Sequence, residues 1–98
     1  MPQLIERPFA DQGSAGQTAA LTGLHAIGSK TVAVKGTFVA TAQVQGSYDG
    51  TDWVNLGSSV TAPAFIEITA SVPQLRIDVT GYTSGTVESV LLGTDLTT

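Results

Sequence analysis

The segment Gln45-Gly46-Ser47-Tyr48-Asp49-Gly50-Thr51-Asp52-Trp53 gathers two carboxylates, a hydroxyl, a tyrosine and the chain's single tryptophan. Three chemistries suit such a set: a calcium site on Asp49 and Asp52, an acid–base carboxylate pair, or an aromatic platform for sugars. Hard cations take roughly six or more oxygens, and only these two carboxylates lie close in sequence. Two aspartates on one turn are also more readily solvated than poised as acid and base. A plainer reading needs no ligand. Asp-Gly is a strong hairpin dipeptide, because glycine reaches positive φ without a steric penalty and aspartate tolerates that region. Ser47 and Asp49 can bond neighbouring amides, and Trp53 would re-enter the next strand as a core anchor. The expectation is a structural hairpin built from Ser47, Asp49, Gly50 and Trp53. Tyr48 and the distant Tyr82 stand as candidate glycan contacts, since exposed aromatics with a few polar partners form sugar platforms.

Other groups with chemical potential are sparse. His25 is the only histidine, so a two-histidine metal site is impossible, and a lone histidine beside Gly23 and Gly28 reads as a surface or packing residue. With no cysteine there is neither a disulfide framework nor a thiolate metal site. No nucleophile-elbow motif accompanies the serines. Arg76 and Asp78 share a strand face, and with Glu88 on the next strand they suggest an exposed cross-strand ion pair worth well under about 1 kcal/mol. No catalytic, cofactor or metal role is assigned, and the chain is not expected to be an enzyme.

The elements that position these residues follow from composition and periodicity. The chain has 98 residues, with four cationic and eight acidic side chains and a formal net charge of −4. A chain this poor in cations is a weak candidate for nucleic acid, whose binding relies on several phosphate contacts. No apolar run approaches the length that crosses a bilayer. The opening residues carry acids where a secretion signal needs a basic region and an apolar stretch, so synthesis and retention in a cytoplasm-like space are expected.

Residues 1–24 hold Pro2 and Pro8 and the small, polar run DQGSAGQTAA. They read as an N-terminal extended arm and loop, with Leu4, Ile5 and Phe9 as unclaimed apolar residues. A short helix near Thr18–Leu24 is weakly signalled by Leu21, Leu24 and Ile27, against the interrupting Gly23 and Gly28. Residues 25–98 read as the β-sandwich domain, with strands from Ser29 onward. Phe38, Ala40, Ala42 and Val44 alternate with Thr41, Gln43 and Gln45, which is the period of a half-buried strand. Strands are expected over 30–35, 37–47, 52–56, 64–70, 73–80 and 85–93. Ala64, Ile66, Ile68, Leu75, Ile77 and Val79 should point inward. Spacings of about ten residues with Gly, Pro and Ser turns indicate an all-β chain, an antiparallel β-sandwich or jelly roll. On this reading residues 1–10 are dispensable for folding.

The run VQGSYDGTDWVNLGS, the Gly36–Phe38 segment before it, PQLRIDV, and the closing GTVESVLLG together resemble a pattern of small tailed-bacteriophage virion proteins. That likeness covers about residues 36–93. It implies a capsid decoration (cement) protein: a compact sandwich on the outside of a phage head, with the major capsid protein as partner and a homotrimer as the oligomer. It places the protein on the virion exterior after synthesis in the host cytoplasm. In this picture Leu4, Ile5 and Phe9 of the arm contact the capsid, and outward apolar residues such as Val39 and Phe65 serve subunit packing. The alternative is a discoidin-like or virion-surface module that binds carbohydrate. The chain is short for a discoidin domain and lacks the terminal cysteines common there. The sialidase Asp-box is also similar, but Asp49 and Gly50 are adjacent, one residue short of its spacing.

Overall fold

Val32, Val44, Leu75, Ile77 and Leu91 are fully inaccessible, and they come from four different strands. Each sits at an inward position of an alternating run, so one apolar layer forms wherever two such runs face each other. The computed structural model describes residues 3–24, 27–68 and 72–95, and among these it contains eight strands and no α-helix.

The strands are β1 (Gln3–Pro8), β2 (Gly16–Gln17), β3 (Ile27–Lys35), β4 (Phe38–Ser47), β5 (Trp53–Val60), β6 (Ala64–Ile68), β7 (Gln74–Gly85) and β8 (Glu88–Asp95). They form two four-stranded sheets, the first in the order β1-β8-β3-β6 and the second in the order β2-β7-β4-β5. Every pairing is antiparallel. Inward residues of both sheets join in a single core, with Val32, Val34, Ile66, Ile68 and Leu91 from one side and Ala40, Ala42, Val44, Leu75, Ile77 and Val79 from the other. The architecture is the antiparallel β-sandwich expected from the alternation, and the predicted inward residues of β4 and β7, with Ile66 and Ile68 of β6, face the core, while Ala64 at the start of β6 is only half-buried.

The N-terminal segment departs from expectation. Residues 3–8 are not an arm outside the sandwich: they pair along β8 from Gln3↔Asp95 to Pro8↔Val90. Phe9 is buried in the core, and its amide donates to the Ser89 carbonyl at 3.0 Å. Gly16–Gln17 pairs with β7, and Leu24 is 1% exposed. The sandwich therefore starts well before residue 25. The physical reason is the free edge of β8. Without β1 that strand would leave a row of amides and carbonyls unpaired, and Phe9 would leave a hole in the core. Pro8 fits because an edge strand does not need its missing donor. Nor does residue 18–24 become helical. Thr18 and Leu21 instead bond in extended fashion to Ile77 and Leu75, and the Leu24 amide, where the chain turns, donates to the Pro73 carbonyl.

Four strands run further than their sequences suggest: β3 begins at Ile27, β8 continues to Asp95, and β5 and β7 extend most. β5 continues past Leu56 through Gly57, with a bulge opposite Ala42–Val44. β7 continues past Thr80 through Gly81 to Gly85, with a register shift opposite Val39–Thr41. At Gly85 the φ of 88° and a virtual Cβ only 2.1 Å from the Thr37 carbonyl oxygen leave room for glycine alone. This close approach lets the chain leave β7 and cross to the first sheet.

Candidate functional site

The hairpin joining β4 to β5 is built from its own side chains. Ser47 is buried, and its hydroxyl accepts from the amides of Gly50 at 2.7 Å and Asp49 at 3.2 Å. Asp49 Oδ1 accepts from the amides of Thr51 and Asp52, both at 2.9 Å, and from the Ser47 hydroxyl at 3.2 Å. The two backbone amides, first that of Asp52 and then that of Thr51, hold the Asp49 carboxyl below its usual range. A carboxylate occupied in this way stabilises a turn and has little left for a cation. Among the described residues no group of three or more His, Asp or Glu is placed to hold a metal ion.

The turn differs from a two-residue hairpin in one respect. Ser47 pairs with Trp53, so residues 48–52 form the loop, and only Gly50, at φ 81°, uses the left-handed region. Asp49 contributes its carboxylate instead of a positive φ.

Trp53 is not a core anchor. It is half-exposed and lies on the outer face of the second sheet, one position away from the inward row of Leu56. The indole Nε1 donates to the Gly50 carbonyl at 3.2 Å, and the Arg76 guanidinium carbon lies 4.1 Å from the ring centroid. Such stacking contributes about 0.5–1 kcal/mol at exposed sites. Arg76 Nε donates to Gln45 Oε1 at 2.8 Å, and Gln45 Nε2 donates to Asn55 Oδ1 at 3.0 Å. Further along the same face, Gln17 donates to Asp78 at 3.0 Å, and Gln43 donates to the carbonyls of Leu56 and Gly57 beside the β5 bulge. Gln43, Gln45 and Asn55 were not singled out by the sequence, although alternation on β4 already put both glutamines outward. The expected pairing of Arg76 or Asp78 with Glu88 does not occur, because β7 and β8 belong to different sheets.

The other candidate residues are dispersed. Tyr48, at the hairpin tip, is 88% exposed. Tyr82 packs against the core, and its hydroxyl donates to the Gly85 carbonyl at 2.9 Å. Ser47 is level with Gln74, and Tyr82 lies eight residues further along β7, roughly 26 Å away at about 3.3 Å per residue. The two tyrosines cannot share one sugar ring. Of the capsid-contact trio, Phe9 is buried, Ile5 packs against the core, and Leu4 pairs by its backbone with Thr94. His25 lies outside the described residues.

The first sheet presents a different outer face. The cross-strand register aligns Phe65, Ala33, Val90 and Pro8 in one row and Glu67, Thr31, Leu92 and Glu6 in the next. Phe65 is 76% exposed. Beyond the apolar row, Lys35 stands opposite Glu88.

No protein-family model matches the chain, and no curated protein matches its sequence. Among solved structures, the crystal structure of the SPBc2 prophage-derived protein YomS is similar to it, with a TM-score of 0.78 at 12% sequence identity. The likeness spans 97% of this chain and 96% of that one. The shared property is the fold.

Proposed function

We propose that the chain is a structural protein of a tailed-phage virion, of the capsid decoration type, that binds the outer surface of the head through its major capsid protein. The observation that carries this reading is the end-to-end likeness in fold to a prophage-derived protein. The polar groups of the hairpin serve the turn itself, Ser47 accepting from the Gly50 amide and Asp49 from that of Asp52. Attachment through a released arm is given up, because Ile5 and Phe9 are packed against the sandwich's own core. The contact with the shell falls to a sheet face instead, and a homotrimer would gather three such faces on one lattice point.

The test is sedimentation of the purified protein with undecorated heads of the phage that encodes it. Saturable binding at a fixed ratio to the capsid protein, together with a higher temperature of shell disruption, is the expected result. Recovery with tails and not with heads would overturn the position on the capsid while keeping the virion role. Absence from both would overturn the reading altogether.

A further inference from the structure

We infer that the outer face of the β1-β8-β3-β6 sheet docks a protein segment in which apolar residues are flanked by lysines or arginines. The apolar row Phe65, Ala33, Val90 and Pro8 crosses all four strands, about 14 Å at roughly 4.8 Å per strand spacing. Leu92 extends it by one position in the adjacent row. None of these side chains turns into the core, because their neighbours Val32, Val34, Ile66 and Leu91 already occupy the inward positions. An outward phenylalanine at 76% exposure on a four-residue apolar row has no function within this sandwich.

Charge selects the occupant. Glu67 and Glu6 end the row on one side of the apolar stripe, and Glu88 with Lys35 borders the other. At the β1–β8 end a cleft of about 480 Å³ opens between Glu6, Asp11, Glu88, Lys35, Pro8 and Val90. Three carboxylates against one ammonium favour a cationic side chain lying over the cleft while its apolar neighbours cover Val90 and Phe65. A second copy of this chain is a poor occupant. A two-fold pairing of this face gathers Glu6, Glu67 and Glu88 from each copy against a single lysine, Lys35, from each, and the chain has only four cations in all. The patch is also small. Three rows by four strands cover about 200 Å², well below the roughly 800 Å² per partner of a standard interface. One contact is therefore weak, and firm attachment requires several copies acting together.

The inference is independent of where in a virion the protein sits, so its test uses the isolated full chain. Two acetylated, amidated helical peptides serve as probes, each with a leucine stripe, one flanked by lysines and one by glutamates. Backbone amide shifts in NMR titrations locate and quantify binding. The Leu–Lys peptide should shift amides of β1, β3, β6 and β8 and leave β4 and β5 in place. Its affinity should fall about fivefold or more as salt rises from about 20 to about 300 mM. It should fall about tenfold in Phe65→Ser and severalfold in Glu67→Gln, and should be unchanged in Asn55→Ala on the opposite face. Shifts centred on the second sheet, equal binding of the Leu–Glu peptide, no binding of either, or full binding by Phe65→Ser would each overturn the proposal. So would a dimer, seen in sedimentation equilibrium, that Phe65→Ser dissolves.

Discussion

On the second sheet the outward side chains bond to one another: Arg76 to Trp53 and Gln45, Gln45 to Asn55, Gln17 to Asp78. On the first sheet the outward side chains of the central row are Phe65, Ala33, Val90 and Pro8, which have no polar group to bond. Both sheets share one core and the same strand number, so folding does not demand the difference. The second face is held largely by bonds within the chain, with Val39, 58% exposed, as an outward apolar residue. The first has no such bonds along its central row, and the proposed docking would take place there.

Variants can test that contrast, beginning with the element whose placement defines the first face. Phe9→Ala should destabilise by about 3–5 kcal/mol, the usual cost of removing a core aromatic, and deletion of residues 1–10 should abolish cooperative melting. If the deletion melts like the parent, β1 is dispensable and the first sheet is a three-stranded face. Gly50→Val should cost about 1–2 kcal/mol or more by chemical denaturation, because a branched residue must hold φ near 81° against the Gln74 side chain. Trp53→Ala should cost only about 1–2 kcal/mol, far less than Phe9→Ala, since it removes a half-exposed ring and one cation–π contact. A loss equal to that of Phe9→Ala would move Trp53 into the core and erase the distinction between faces.

Acid titration tests the hairpin at the edge of the second face. The Asp49 pKa is lowered on folding, so its contribution is present above the unfolded value of 3.8 and is lost as pH falls through the lower folded value. Asp49→Ala should therefore be less stable than the parent at neutral pH, with the gap closing below about pH 4. A gap that persists unchanged in strong acid would remove the carboxylate from the turn. The smallest effect belongs to the first face: Phe65→Ser should change stability by no more than about 0.5 kcal/mol, the ordinary range for exposed substitutions. A larger loss would mean that Phe65 supports the sandwich and is not held out for a partner.

Much of this contrast is legible in the sequence, and the missing parts have physical reasons. Alternation in β4, β6 and β7 reports the core because one face of each strand is apolar and the other polar. β1 gives no such signal: Leu4 and Ile5 are adjacent, Glu6 and Arg7 likewise, and Pro8 argues against a strand unless the strand is known to lie at an edge. β2 has only two residues and no period to read. The hairpin was recognisable from Ser47, Asp49 and Gly50, whose bonds are local. The position of Trp53 was not, because its face depends on whether the loop holds two residues or five, and one residue of register turns a side chain over. The acid-rimmed apolar face needs the cross-strand neighbours of Phe65, and strand order is a long-range property.

The position of β8 has a consequence for how the molecule is made. All four strands of the second sheet, β2, β4, β5 and β7, are present once residue 85 has been synthesised, whereas β8 lies between β1 and β3 in the first sheet. Until residues 88–95 arrive, β1 has no neighbour to pair with, and its contact Leu4↔Thr94 closes a loop of about ninety residues. Such distant pairings give a high contact order, which slows folding to the millisecond-to-second range or beyond. During that wait the nascent chain exposes the β3 edge, and Phe9 has not yet reached its site. Crowded copies would be most prone to pair wrongly along that edge, so the order of the strands sets a limit on how fast the protein can safely be produced.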